Sequence, residues 1–416
     1  MLLEQILASE NLQVAWKHVK QNKGSAGVDG ITLDDYLPWA TVHWQSIRRG
    51  LMDALYCPLP VRRVEIPKPN GDVRLLGIPS VNDRVIQQAM SQVLQPLIDP
   101  DFSDYSYGFR PKRSAHHAVY RVRQMIIDQR KYAVDIDLSK FFDKVDHDLL
   151  MRRLTRWIDD KRVLELIGKY LRAGISEKGN VVPSLCGVPQ GGPLSPLLAN
   201  VMLNDLDRYM ESQGYQFARY ADDFVVGVRT QSEGQHVKQQ LESYLKRLKL
   251  PINEAKSSVL PMRKLNFLGF AFRGKKIVWS EKALANFKHR IRELTGRSWG
   301  VSWWYRYKQL RLYLVGWVNY YGLHEYYRPI PLLDQWIRRR IRMCYLKQWR
   351  KPRTRARNLI KRGVPEKLAR SIAASCKGYY RLAKTEAVHL ALNNKWLASQ
   401  GLVSVKEQWS KFHYPK

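Results

Sequence analysis

Cysteine is scarce in this chain of 416 residues: there are four, Cys57, Cys186, Cys344 and Cys376, far apart and with no Cys-x-x-Cys pair. That argues against a zinc ribbon or a disulfide framework, and the four are expected as reduced core residues. Acidic residues are also few, 37 against 70 Lys and Arg, which leaves a formal net charge of +33. Net charge speaks to partners rather than to fold, and an excess of this size points to a polyanion. No apolar run is long enough to span a bilayer, and the aromatic residues are not confined to one amphipathic helix, so no membrane partner is expected. Met1-Leu2-Leu3-Glu4-Gln5 lacks the basic start and apolar core of a secretory signal, so a cytoplasmic location is expected. Internal repeats and low-complexity linkers are missing too.

What the chain does have is length for two to four domains and 11% aromatic residues, which suit stacking on bases. It is organised around Arg219-Tyr220-Ala221-Asp222-Asp223-Phe224-Val225-Val226. This stretch reads as two short strands meeting at a tight turn with both aspartates at the tip. Neighbouring carboxylates repel, so a buried tip of this kind is costly without a cation, and hard oxygen ligands suit Mg²⁺. A two-metal phosphoryl-transfer site needs a further carboxylate. The apolar strand Tyr132-Ala133-Val134-Asp135-Ile136-Asp137-Leu138 supplies one. Asp135 and Asp137 share a face at period two, so spacing alone does not choose between them. Taken singly, an Asp-Asp pair is commonly a solvated hairpin tip, and a strand ending in Asp commonly caps a helix.

Together they are specific. Tyr220-Ala221-Asp222-Asp223 resembles the Tyr-x-Asp-Asp box of reverse transcriptases, and further blocks follow the same family in order. Asn22-Lys23-Gly24-Ser25-Ala26-Gly27 resembles the N-terminal extension of group II intron and other non-retroviral members, which lies over the template. Tyr107-Gly108-Phe109-Arg110-Pro111, Pro189-Gln190-Gly191 and Asn266-Phe267-Leu268-Gly269 also match. Gly316-Trp317-Val318-Asn319-Tyr320-Tyr321 resembles the thumb, or maturase X domain, of group II intron proteins. Asn393-Asn394-Lys395-Trp396 closes a region similar to their DNA-binding part. No His-Asn-His or paired-cysteine nuclease module is seen, which points to the bacterial class C lineage.

The resemblance implies a right-hand polymerase: α/β fingers and palm, an all-α thumb/maturase domain and a small helical, basic C-terminal region. The expected divisions are an N-terminal extension (1–55), fingers and palm (56–262), thumb/maturase X (263–345) and DNA-binding domain (346–416). It picks Asp137 with Asp222 and, more weakly, Asp223 as ligands of two Mg²⁺ ions, with Leu138 counted beside Asp137. Lys256 aligns with a lysine that protonates the departing pyrophosphate; a solvated lysine at a helix end is the alternative. The Asn70-Gly71 turn joins two strands as the fingers tip. Lys68 and Arg74 there would hold the triphosphate of the incoming dNTP, with Arg63 more loosely attached to that role. Phe141 is the expected steric gate against a ribose 2′-OH, and Phe142 is its neighbour in contention. Gln190 would meet the nucleotide sugar or the template base.

Lys23 and Gly24 would approach the template backbone. Arg110 would either touch a template phosphate or belong to a structural turn around a buried Phe109. Leu268 and Gly269 form the expected primer grip. Aromatics after residue 280 at helical spacing are expected mostly in the core, although Trp317 is carried with the RNA-binding set. Arg338, Arg339, Arg342, Arg350 and Lys351 lie in basic runs with Ile337, Ile341 and Cys344 at helical spacing, which suits a folded helix with a phosphate-facing side. The implied partners are the group II intron RNA, an RNA template with a DNA primer, target DNA and dNTPs. The implied function is RNA-directed DNA polymerase and intron maturase, the alternative being a domesticated relative in DNA repair or phage defence.

Overall fold

The structure is a computed structural model and describes residues 1–67, 73–177 and 180–415, the Arg74 side chain excepted. The chain forms two compact units, Met1–Met262 and Arg263–Lys416. In the first, helices Leu2–Ile6, Ser9–Gln21 and Tyr36–Met52 precede strands β1 (Val61–Pro67) and β2 (Val73–Ile78). These two pair antiparallel from Arg62 opposite Ile78 to Pro67 opposite Val73; the expected Asn70-Gly71 turn lies outside the described residues. Lys68 itself, and the Arg74 side chain, lie outside the described residues. The helix Val81–Ile98 follows, with the Ser80 hydroxyl capping its start on the Asp83 amide.

Two sheets divide this unit. β2-β1-β4-β5 adds the short strands β4 (Ile175–Glu177) and β5 (Asn180–Val182), with β4 parallel to β1. The other runs β6-β7-β3-β8, from β3 (Tyr132–Asp137), β6 (Gln216–Tyr220), β7 (Asp223–Val228) and β8 (Ser258–Pro261). Strand alternation sets its faces. Val134 and Ile136 of β3 point into an apolar core with Phe224 and Val226 of β7, against Leu203 and Leu206 of the helix Ser195–Ser212 and Leu241 of the helix Gln231–Arg247. Asp135 and Asp137 therefore share the other face. The helix Gln231–Arg247 opens on a capping box, Thr230 with Glu233, that satisfies two otherwise unpaired amides. It ends at Arg247, so Pro251–Ser257 is a turn after the helix rather than its last residues.

The second unit begins with the sheet β11-β10-β9, from β9 (Asn266–Phe267), β10 (Phe270–Arg273) and β11 (Lys276–Trp279). Helices Glu281–Leu294, Trp303–Tyr321 and Pro329–Gln348 follow, then shorter ones to Val405–His413. One core joins them, through Phe287, Leu314, Ile337, Ile341, Leu397 and Trp409. Aromatic residues build much of it: Trp303 stacks on Tyr345 with ring centroids 3.6 Å apart. Of the four cysteines only Cys344 is buried; Cys57, Cys186 and Cys376 are free and exposed, against the expectation that all would sit in the core.

Candidate active site

β6 and β7 are joined by two residues, Ala221 and Asp222, because Tyr220 and Asp223 are already paired across the ladder. Ala221 has φ 58°, a left-handed conformation that costs a residue with a Cβ about 1 kcal/mol. β7 also pairs antiparallel with β3, and the register sets Asp137 directly opposite Asp223. Three carboxylates thus meet at one end of the sheet, two from the hairpin and one from the end of β3. Asp135 stands one step farther from the turn, opposite Val225. Register does what spacing could not: Asp137, not Asp135, faces the hairpin tip.

The electrostatics are those of anions crowded together. Burial first, then the charges of Asp223 and Asp137, raise the Asp135 carboxyl to about 7. Asp223 is raised to about 6, by desolvation at the crowded tip and then by Asp222 and Asp137, with Lys256 opposing. Lys256 supplies the nearby positive charge, its Nζ 3.5 Å from Asp137 Oδ2. The Asp137 main chain is pinned as well: its amide donates to Ser257 Oγ at 3.0 Å, and its carbonyl accepts from the Asn253 amide at 2.8 Å. Carbonyls alternate along a strand, so the next one, Leu138, faces the hairpin side, while the Leu138 side chain is buried and apolar.

Behind the turn lies a network that sequence reading missed. Arg219, with no exposed surface, forms a two-pronged ion pair with the equally buried Asp207. Its remaining N–H groups donate to Asn200 Oδ1 at 3.0 Å, to Ser106 Oγ at 2.7 Å and to the Ala221 carbonyl at 2.9 Å. The last bond holds the strained residue that precedes Asp222. Segment 105–108 lies alongside: the Arg219 amide donates to the Tyr105 carbonyl at 2.9 Å, and the Tyr107 amide to the Arg219 carbonyl at 2.8 Å. Asn200 Nδ2 in turn holds the Gly108 carbonyl at 2.9 Å. A Cβ on Gly108 would stand 2.3 Å from the Ala221 nitrogen, so only glycine lets the two backbones touch.

The donor set fits a divalent cation. Among the described residues no preformed cage of three or more His, Cys, Asp or Glu exists. Mg²⁺ needs none, since it keeps waters and takes its other ligands from substrate phosphates. The raised proton affinity of Asp223 and Asp135 marks a crowd of negative charge that such an ion would neutralise.

Comparison with known proteins shows the family. Residues 66–272 match the family model "Reverse transcriptase (RNA-dependent DNA polymerase)", and residues 284–363 match "Group II intron, maturase-specific domain". Protein YkfC of Escherichia coli is 34% identical over 318 residues, covering 67% of this chain and 82% of that protein. The chain belongs to the group II intron reverse transcriptases. The Group II intron-encoded protein LtrA of Lactococcus lactis is 34% identical over 260 residues, 62% of this chain and 42% of LtrA. The putative COX1/OXI3 intron 1 protein of Saccharomyces cerevisiae is 27% identical over 303 residues, 60% of this chain and 36% of that protein. The chain thus spans less than half the length of these two intron proteins. It carries an RNA-directed DNA polymerase domain and a maturase domain.

In this reverse transcriptase several expected contacts fall elsewhere. Arg110 is buried and fully engaged: its guanidinium pairs with Asp99 at 2.9 Å and donates to the carbonyls of Ser103, Ser106 and Asp99. It is a structural brace with no group left for a template phosphate. Phe109, expected to be buried, is 46% exposed at φ 58°, and its ring lies 6.4 Å from that of Tyr220. Phe141 is 2% exposed and packs in the core, whereas Phe142 lines a cavity of about 320 Å³ with Arg63, Lys140, Lys144 and Pro189. The left-handed Lys140 (φ 49°) turns the chain so that the second ring, not the first, faces outward. Arg63 is already paired with Glu177 at 2.9 Å.

The Pro189-Gln190-Gly191 loop is clasped to the sheet. The Gln190 carbonyl accepts from the Gly77 amide at 2.8 Å, and Gly191, at φ 127°, has no room for a Cβ beside the Gly77 oxygen. Lys23 is exposed, but Gly24 packs on Arg84, whose Nη1 would lie 2.3 Å from an added Cβ. In the second unit, Leu268 and Gly269 form a two-residue hairpin turn, both at positive φ, and Tyr320 Oη donates to the Leu268 carbonyl at 3.0 Å. Trp317 is 8% exposed, packed on Phe287 and Trp279, so it belongs to the core and not to an RNA-binding face. Arg342 is buried too, donating to the Leu392 carbonyl and Asn394 Oδ1. Arg338 is half-buried 4.0 Å from Asp334, Arg339 stacks on Tyr380 at 3.8 Å, and Arg350 and Lys351 are exposed.

Proposed function

We propose that Asp137 and Asp222, with Asp223, would hold two Mg²⁺ ions, and that this site joins a primer 3′-OH to the α-phosphate of a dNTP over an RNA template. The observation that carries this reading is the register of β3 against β7, which sets Asp137 opposite Asp223 beside the Asp222 turn. When bound, such ions supply the charge that favours the attacking alkoxide and the leaving pyrophosphate. The protein's own part is positioning. Lys256 stands beside Asp137 and would meet the pyrophosphate as cation and proton donor. The ring of Phe142, at the edge of a cavity lined by Arg63, Lys140, Lys144 and Asp143 among others, would crowd a ribose 2′-OH. Lys68 and Arg74 remain the candidates for the triphosphate, Gln190 for the base or sugar, Lys23 for the template backbone, and Leu268 and Gly269 for the primer.

The two matched domains support a reading of the whole protein's role. The maturase domain and the basic charge suit binding of a structured intron RNA, assistance to its splicing, and later copying of the inserted intron from a nicked DNA target. During splicing the RNA would do the chemistry. Among the described residues no helix is long and apolar enough to cross a membrane. A place on nucleic acid, in the cytoplasm of a bacterium, is part of this reading. Two measurements test this. Extension of a DNA primer on an RNA template with Mg²⁺ should give cDNA, and none would refute the polymerase reading. Crosslinking in the native host should recover one dominant structured RNA flanking this reading frame; a diffuse mixture of cellular RNAs would refute the maturase role.

A further inference from the structure

A cavity of about 440 Å³ lies within the second unit, between the helix Pro329–Gln348 and the chain segment around residues 380–394. Among the described residues four cations line it, Arg338, Arg339, Arg342 and Lys384, and none of the lining residues is acidic. Arg342 forms its recessed floor: 4% exposed, it is held by the Leu392 carbonyl and the Asn394 side chain, both neutral acceptors. Its charge is therefore fixed in place but not cancelled. Burial first, and Arg338 second, pull its pKa down to about 10, so it still carries the charge at neutral pH. At the rim, Tyr380 is 37% exposed, with the Arg339 guanidinium over its ring at 3.8 Å.

We propose that this cavity takes a single unpaired nucleotide extruded from a bound RNA, its phosphate on the cations and its base against Tyr380. Shape chooses this ligand over a duplex backbone. The phosphates of a regular helix lie on a convex surface and cannot reach a recessed guanidinium, whereas an unstacked nucleotide can enter and present both a charge and a ring. The volume is of the size that holds a small ligand, on the order of 300 Å³ or more. An uncompensated buried cation explains why the site would wait for an anion. The inference rests on the reading that the second unit binds structured RNA, and it adds which feature of that RNA the unit recognises.

The test uses the full chain, two RNA hairpins of equal length, one with a single-nucleotide bulge and one fully paired, and adenosine monophosphate. Tyr380→Ala and Lys384→Ala alter exposed side chains and leave Arg342 and its helix contacts alone. Tyr380→Ala should weaken binding of the bulged hairpin about tenfold, the usual scale of one lost base–aromatic stack, and leave the paired hairpin within about twofold. Lys384→Ala should lower the salt dependence for the bulged hairpin by about one phosphate contact. Equal losses on both hairpins, or no loss on either, would overturn the extruded-nucleotide site. Adenosine monophosphate binding as tightly as the bulged RNA would overturn it in favour of a free-nucleotide site. If the unaltered protein binds neither hairpin, the RNA-binding reading beneath it fails instead.

Discussion

Arg219 and Asp207 form an ion pair with no exposed surface on either side chain, and the same guanidinium holds the carbonyl of Ala221, one residue before the proposed metal ligand Asp222. The pair thus fixes the Ala221-Asp222 turn from behind. Removing one partner leaves an unpaired buried charge, so Arg219→Ala should destabilise the fold by about 3–5 kcal/mol, read as a lowered denaturation midpoint. The double variant Arg219→Met with Asp207→Leu removes both charges and should recover most of that stability. It still lacks the donor to Ala221, so primer extension should remain at least about tenfold slow, on the scale that slight misplacement costs. Full activity in the double variant would show that the pair serves folding alone.

Gly108 makes the same claim from another side. An added Cβ meets the Ala221 nitrogen at 2.3 Å, with Tyr220 backbone at 3.0 Å, and neither atom can yield without shifting the turn. Gly108→Ala should lower kcat by roughly tenfold or more, with KM for dNTP changed far less. Unaltered single-turnover extension would contradict the packing described here.

The two phenylalanines separate packing from specificity. Phe141→Ala should cost about 3–5 kcal/mol of stability, as loss of a core ring does. Phe142→Ala should leave stability nearly unchanged and admit ribonucleotides more readily. The ratio of rNTP to dNTP incorporation checks this, and an effect on the ratio from Phe141→Ala alone would reverse the assignment.

The raised carboxyls give a pH signature. In the metal-free fold Asp223 and Asp135 hold protons up to about 6 and about 7, whereas the unfolded chain releases them near pH 4. This contribution to stability is therefore fully present below about pH 4 and is lost as pH rises through 6 and 7. Mg²⁺ competes with those protons, so its stabilising shift of the melting temperature should be larger at pH 8 than at pH 5.5. An equal shift at both would separate the ion from these carboxylates.

RNA affinity should fall steeply with salt, by about a thousandfold or more between 50 and 200 mM if six to ten phosphates are neutralised. A filter-binding titration with a flat response would remove the electrostatic basis for RNA recognition.

Much of the site was legible in the sequence because it is local. The Asp222-Asp223 turn lies between apolar strands of period two, and Asp137 ends another strand, so motif and pattern pointed the same way. What stayed hidden depends on residues distant along the chain. Nothing near Arg219 announces Asp207, Asn200 and Ser106 as its partners, and Gly108 is explained only once Ala221 lies against it. Distance along the chain also decided Arg110, left open between a template phosphate and a structural turn and consumed by Asp99, and Trp317, carried with the RNA-binding set and packed on Phe287 and Trp279. The order of Phe141 and Phe142 turned on one left-handed residue, Lys140, that no spacing rule reveals.

The most direct test of the central claim is single-turnover primer extension on an RNA template with Mg²⁺, comparing the unaltered chain with Asp137→Ala and Asp222→Ala of matched melting temperature. cDNA is expected from the unaltered chain and none from either variant, with Asp135→Asn retaining measurable synthesis. Equal cDNA from Asp222→Ala or Asp137→Ala would place the chemistry elsewhere in the molecule.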